Sequence, residues 1–380
     1  MPTKLPAGLW NQTVRQRVRV AVDGARLRVV LTNVYGDTPL VVGAADLAIA
    51  GQGPDGLAGS DRILTFSGRT TVSIPAGAAW VSDPVAMPTR AGDHVLLSLY
   101  LPQPTAPATF HWEGLEDAWI ADGNAAAATR FRFSARAPVR LFVSAVQVEA
   151  DSPKLIVAFG DSITDGNAST PGEERRWPDF LSRALGDRGI AVVNGGISGA
   201  RLLAGGMGES ALARLDRDVL AQPGVNTVVV LMGINDIAWP GTPFAPDAPM
   251  VDADTLIAGY RQLIARAHGS GVRIVGATLT PFEGALEGTP ITGYYTVAKD
   301  RLRRTVNHWI RDSGEFDAVV DFDALLRDPA RPSRMLQRYD SGDHLHPGDV
   351  GYEAMARAVG ERLSIAGASA FRTSSNSAGD

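Results

Sequence analysis

Leu155-Ile156-Val157-Ala158-Phe159-Gly160-Asp161-Ser162-Ile163-Thr164-Asp165-Gly166 opens the second half of the chain. Five apolar residues stand in a row, without the alternation of a half-exposed strand, and then give way abruptly to small and polar residues. Such a run predicts a strand buried on both faces. Similar runs follow at Ile190–Val193, Thr227–Met232, Arg273–Leu279 and Ala318–Phe322. Helix-like stretches lie between them, near 177–186, 208–221, 254–268 and 295–312, with a last one near 350–364. Strands alternating with helices predict a parallel sheet covered on both faces. Sheets of that kind take their ligands beyond the C-terminal ends of the strands.

Upstream of residue 150 the period is that of strands. Val18, Val20 and Val22 alternate with Arg17, Arg19 and Ala21, and Leu27, Val29 and Leu31 follow Asp23-Gly24. Asp-Gly between two alternating runs predicts a hairpin with a type I′ turn. Further strand-like runs lie at Ile63–Phe66, Thr70–Ile74, His94–Leu101 and Val139–Val148, separated by Gly- and Pro-rich turns. This half reads as an all-β unit, a sandwich or jelly roll. The predicted organisation is therefore a β domain over 1–150, a second domain over 153–366, and a Ser-, Ala- and Gly-rich tail over 367–380 expected to be disordered.

Composition narrows the function. The 380 residues are 45% hydrophobic and 20% charged, enough for full cores and too apolar for a disordered chain. A net charge of −5 gives no field for wrapping phosphates, which argues against nucleic acid as a partner. With no cysteine, disulfides, thiolate zinc sites and cysteine nucleophiles are all excluded. No apolar run approaches the roughly 18 residues of a membrane span. The first residues carry no signal-peptide pattern.

The chemistry gathers where the strands end. The first strand is followed by Gly160-Asp161-Ser162, the second by Asn194-Gly195-Gly196-Ile197-Ser198-Gly199, and the third by Gly233-Ile234-Asn235-Asp236. Asp343-His344-Leu345-His346-Pro347 precedes the last helix. A serine, a histidine, a carboxylate and amide donors are the parts of acyl transfer. The imidazole takes the serine proton, the carboxylate fixes the tautomer, and the donors receive the developing oxyanion.

At these residues the chain resembles the SGNH, or GDSL, hydrolases. Gly160-Asp161-Ser162, Gly199, Gly233-x-Asn235-Asp236 and Asp343-x-x-His346 look like the four blocks of that family, in its order and after successive strands. The resemblance covers about 153–366. The first half is similar to the N-terminal domain of a two-domain bacterial subgroup of aryl or carbohydrate esterases. Members of that subgroup begin with a further segment upstream of what is here Leu5, so this chain reads as lacking its own start; the compartment is left open, an exported location, periplasmic or secreted, being compatible with that reading.

The resemblance implies a three-layer α/β/α domain with a flavodoxin-like sheet, after an all-β sandwich. It implies Ser162 as nucleophile, His346 as general base and Asp343 as its orienting carboxylate. The oxyanion hole would be the Ser162 and Gly199 N–H groups and the Asn235 amide. No metal and no organic cofactor is implied. The expected reaction is hydrolysis of carboxylic esters, with short acyl groups on carbohydrate or aryl alcohols as the first choice. Longer-chain lipase or thioesterase activity, and a carbohydrate-binding protein with a weakly active hydrolase fold, are the alternatives.

Rival readings exist for several residues. Ser198 lacks the second glycine of a nucleophile elbow, since Ala200 stands there. Asn194 breaks a dinucleotide loop at its first glycine. Asp161 and Asp165 flank the nucleophile as a glycosidase pair would, but read as loop-shaping residues, and Asp236 as structural. His344 directly follows Asp343 and is poorly placed to be oriented by it. His346, three residues on, can share one side of a turn with that carboxylate, and Asp340 stands in reserve. Trp239 and the Pro-rich stretch after it read as a pocket wall. Arg175 and Arg176 read as a solvated helix start, and Trp10, Trp80, Trp112 and Trp119 as core aromatics.

Overall fold

The computed structural model describes residues 5–151 and 154–363, so the predicted tail over 367–380 lies outside the described residues. The chain divides into two compact units, Met1–Ser152 and Pro153–Asp380.

The described residues of the first unit form strands, bridges and turns, and no helix. A six-stranded antiparallel sheet runs in the order Ala135–Ala137, Ala118–Asp122, Gln12–Arg19, His94–Leu101, Ala44–Ile49 and Arg62–Ile63. A second sheet centres on Gly24–Thr32, flanked by Val143–Val148 and Ala79–Val81, with Val85–Thr89 also paired to it. Along Gly24–Thr32 the side chains of Leu27, Val29 and Leu31 are buried while Arg26 and Arg28 face water. That period of two is the one read from the sequence. Val14, Leu97 and Leu99 of the first sheet share one apolar core with Leu27, Val29 and Leu31 of the second.

The Asp23-Gly24 hairpin does not form. Gln12–Arg19 pairs with His94–Leu101 and Ala118–Asp122, whereas Gly24–Thr32 pairs in the other sheet. The chain turns a corner from one sheet into the next. Gly24 is required there by crowding, because a Cβ would lie 2.2 Å from Val148 Cγ1. The Asp23 carboxylate accepts the Ala91 N–H at 2.7 Å. Local turn chemistry thus gave way to the burial that each strand finds against a separate sheet.

Two of the expected core aromatics are also on the surface. Trp10 is 69% exposed and Trp80 37%. Trp80 sits in a three-residue edge strand with no buried face.

In the second unit five strands, numbered here within the unit, make one parallel sheet. They are β1 (Lys154–Gly160), β2 (Ile190–Gly196), β3 (Val225–Leu231), β4 (Arg273–Ala277) and β5 (Ala318–Val320). The order is β2-β1-β3-β4-β5, every pair parallel. This is the flavodoxin-like doubly wound order, and it reverses direction between β1 and β3. Val228 to Leu231 are all within 1% of full burial, as a central parallel strand requires. The helices are α1 (Ser162–Asp165), α2 (Trp177–Leu185), α3 (Ala211–Leu215), α4 (Ile234–Ala238), α5 (Ala253–Gly269), α6 (Val297–Asp312), α7 (Phe322–Leu326) and α8 (Asp349–Arg362). Asp252 and Thr296 cap α5 and α6 by accepting the N–H groups of Thr255 and Lys299. The single helix expected over 208–221 is instead α3 followed by a π-turn, Asp216–Leu220.

Most of this unit shares one core. Beside it lies a smaller apolar cluster of Ile234, Ala238, Trp239, Phe282, Ala285, Tyr294 and Leu345. This cluster comes wholly from loops and short helices at or beyond the strand ends.

Candidate active site

The ends of β1 and β2 are drawn together by one buried guanidinium. Arg214, 1% exposed, donates to Gly160 O at 2.9 Å and to Gly195 O at 2.7 Å. Gly160 and Gly196 leave no room for a side chain. A Cβ on the first would meet Thr164 Oγ1 at 2.1 Å, and one on the second Asp165 N at 2.2 Å. The chain then turns sharply into α1, and Asp161 caps it by accepting the Ile163 N–H at 3.0 Å. Ser162 is the first helical residue, so its N–H has no partner within the helix.

Ser162 Oγ lies 2.8 Å from His346 Nε2. His346 Nδ1 lies 2.6 Å from Asp343 Oδ2. The other oxygen of Asp343 accepts the backbone N–H groups of His346 at 2.8 Å and Leu345 at 2.9 Å, and the Ser341 hydroxyl at 3.1 Å. Burial alone would raise the Asp343 pKa. The hydrogen bond and charge of His346 and the two N–H groups outweigh it and hold the carboxylate well below its ordinary range. Ser162 and His346 are 7% and 6% exposed, buried enough for these contacts to act in a low dielectric.

Gly199 occupies a left-handed conformation, φ 79°, with Met207 packed where a Cβ would be. Among the described residues no protein acceptor meets the N–H of Gly199 or of Ser162. The loop that carries Gly199 is pinned from three sides. Asp165 Oδ2 accepts from Ser198 N at 3.0 Å and Ser198 Oγ at 2.7 Å. Asn235 Nδ2 donates to Ala200 O at 3.0 Å. The Asp236 carboxylate accepts from Leu202 N at 2.7 Å and Leu203 N at 3.0 Å. Ser198 is thus bound to a carboxylate rather than a base, and Asp165 and Asp236 shape the loop. Burial pushes the Asp236 carboxyl up to about 6 against the N–H groups that favour its anion. Asp161, fully buried, is pushed up to about 7 by the same desolvation, with the Ile163 N–H and His346 opposing.

His344 forms a separate pair. Its Nδ1 lies 2.5 Å from Asp340 Oδ2 and its Nε2 3.1 Å from Arg334. Asp340 therefore serves His344, and both ring nitrogens of His344 are engaged away from Ser162. Arg175 pairs with Glu173 at the surface. Trp239 is buried in the small apolar cluster and stacked on Phe244. Sequence reasoning missed Tyr294, whose hydroxyl donates to Asn235 Oδ1 at 2.7 Å. It lies in the long segment between β4 and α6, where no sequence pattern marks it. Among the described residues no cluster of acidic groups or histidines could hold a metal ion, and no helix is long and apolar enough to cross a membrane.

A parallel sheet in the flavodoxin-like order, with a serine, an imidazole, a carboxylate and unengaged N–H groups beyond its strand ends, is the arrangement of a serine hydrolase. The chain belongs to the GDSL-like lipase/acylhydrolase family, whose model matches residues 158–354, and it is an SGNH-type carboxylic ester hydrolase. Among solved structures it is similar to an aryl esterase of M. smegmatis, with a TM-score of 0.44 and 16% identity over 56% of this chain and 99% of that one. It is also similar to a carbohydrate acetylesterase from Sinorhizobium meliloti, with a TM-score of 0.42 and 15% identity over 56% and 99%. No curated protein matches it in sequence.

Proposed function

We propose that the chain hydrolyses short-acyl esters, acetyl above all, of carbohydrate or aryl alcohols through an acyl-enzyme on Ser162. His346 Nε2 takes the Ser162 proton as Oγ attacks the ester carbonyl, and Asp343 keeps the Nδ1 proton directed at itself. The carbonyl oxygen, now an anion, is received by the Ser162 and Gly199 N–H groups and by the Asn235 N–H that Ala200 does not take. The protonated His346 gives its proton to the leaving alcohol. Water then attacks the acyl-enzyme by the same steps in reverse. The observation that carries this reading is the unbroken line of hydrogen bonds from Ser162 through His346 to Asp343, 2.8 Å and 2.6 Å.

We read the helices as covering both faces of the sheet, a three-layer α/β/α domain over 153–366, and the first unit as a sandwich of the jelly-roll kind over 1–150. The core shared by its two sheets supports that reading.

The test pairs labelling with a substrate panel. An organophosphonate should label Ser162, and Ser162→Ala should fold normally, resist the label and lose hydrolysis by several orders of magnitude. Across p-nitrophenyl esters the rate should fall beyond butyrate, and acetylated sugars should release acetate. Faster turnover of octanoate than of acetate would overturn the short-acyl reading. A cleanly folded Ser162→Ala with normal turnover would overturn the nucleophile.

A further inference from the structure

Asn235 carries an amide with two N–H donors and one oxygen acceptor, and it is 2% exposed. One N–H is spent on Ala200 O, and the oxygen is held by the Tyr294 hydroxyl at 2.7 Å. A flipped amide would set its oxygen against the Ala200 carbonyl, so this pair of contacts admits one orientation. The second N–H is then left for the oxyanion. Because the amide oxygen can only accept, the phenol must donate to it. The direction of both protons in the line Tyr294, Asn235, Ala200 is thereby set. Each bond in such a line polarises the next.

The line is buried and braced. Trp239 and Tyr294 are 4% and 3% exposed, and Phe282 meets the Tyr294 ring edge-on at 6.4 Å between centroids. Lys299, itself 4% exposed, points its ammonium at three carbonyls. Ala238 O at 2.7 Å and Pro240 O at 2.9 Å lie on either side of Trp239, and Gly293 O at 2.6 Å directly precedes Tyr294. One cation therefore fastens together the two loops that supply the line. Burial, with the charges of Asp161 and Asp343 nearby, keeps the Tyr294 phenol well above its ordinary pKa, so it remains a donor wherever the enzyme works.

We propose that Tyr294 is a positioning residue of the oxyanion hole, which holds the free N–H of Asn235 on the reacting carbonyl, with Lys299 binding the two loops that carry them. This rests on the reading of Asn235 as an oxyanion donor. A donor that can rotate or flip stabilises the transition state less, while substrate binding in the ground state is little changed. Tyr294 touches no reacting atom and acts only through the amide.

The test is a mutant cycle on p-nitrophenyl acetate. Tyr294→Phe keeps the ring and its packing and removes one hydroxyl. It should lower kcat roughly 10- to 100-fold with KM within about twofold, less than the roughly 10²–10³ expected for Asn235→Ala. The double variant should be no slower than Asn235→Ala alone, because Tyr294 has no other route to the reaction. Phenylboronic acid, which forms a tetrahedral adduct on serine, should bind Tyr294→Phe more weakly by the factor lost in kcat. If Asn235→Ala is slow and Tyr294→Phe is not, the proposal is overturned and the hole stands. Losses that multiply in the double variant, or a change in KM alone, also overturn it. A normal rate in Asn235→Ala would remove the reading of Asn235, and this proposal with it.

Discussion

Replacing Asp343 by asparagine separates two jobs that one carboxylate performs. Oδ1 holds the turn through the N–H groups of Leu345 and His346, and Oδ2 holds the imidazole at 2.6 Å. An asparagine can place its oxygen in only one of these positions. With the oxygen on the imidazole, its NH2 group faces two backbone N–H groups. These contacts are part-buried, so each donor left without an acceptor costs at most about 1–3 kcal/mol and this arrangement at most about 2–6 kcal/mol. With the oxygen on the turn, the amide N–H points at Nδ1 and moves the imidazole proton to Nε2, a change of tautomer that costs the fold far less. The second arrangement wins. His346 Nε2 then donates to Ser162 and can no longer take its proton. A wrongly protonated base of this kind costs about 10⁴ in kcat, equivalent to about 5.5 kcal/mol in the barrier. Initial rates on p-nitrophenyl acetate measure the loss, and a thermal melt checks that the turn survives. A pH series adds a signature. The Asp343 pKa is depressed in the fold, so its stabilising charge is fully present above the ordinary value of 3.8 and is lost as the pH falls below it. The gap in melting temperature between the two proteins should be widest near neutrality and close in acid. Asp343→Asn within about tenfold of the normal rate would refute the assignment, and a 10⁴ loss in Asp340→Asn would transfer it.

His344→Ala should keep most of the rate, since both its ring nitrogens face away from Ser162, whereas His346→Ala should be as slow as Ser162→Ala and should not add to it. The reverse pattern in these assays would reassign the base. Burial pushes Asp161 up to about 7 from 3.8, so between those values the folded chain holds a proton that the unfolded chain has released. Its favourable term is therefore lost as the pH rises, and Asp161→Asn should gain melting temperature relative to the parent from about pH 4 to pH 7.5; a difference constant with pH would refute this. EDTA or phenanthroline should leave the rate intact, because base and oxyanion donors are all protein groups; inhibition reversed by one metal would contradict that.

The second unit was legible because its signals are local. Runs such as Leu155–Phe159 give the strands, and small residues at their ends give the loops. The strand order β2-β1-β3-β4-β5 is not contained in those runs, and the expectation of a flavodoxin-like sheet came from the family resemblance. What failed was where tertiary burial overrides local preference. Asp23-Gly24 has the composition of a hairpin and makes a corner between sheets. Trp10 and Trp80 have the character of core residues and are exposed, because an edge strand and a turn give them nothing to pack on. In the site, Ser162, Gly199, Asn235, Asp343 and His346 lie in short recognisable blocks. Tyr294 and Lys299 do not. A tyrosine and a lysine in loop and helix-start sequence carry no pattern, and their meaning comes from the groups that the fold brings to them.

The small apolar cluster of Ile234, Trp239, Phe282, Tyr294 and Leu345 should set a thermal ceiling of its own. It is separate from the main core, and it carries the residues next to Asn235 and His346. Segments with few buried contacts open at lower free energy than the body of a domain. Warming should therefore silence the enzyme while its sheet is still intact, and the loss should reverse on cooling. Hydrogen exchange would report early opening at the loops after β3 and β4 and at the turn before α8, ahead of the strands. On that expectation the working temperature is set by a few loop side chains. Packing that cluster more tightly would raise it without touching either of the larger cores.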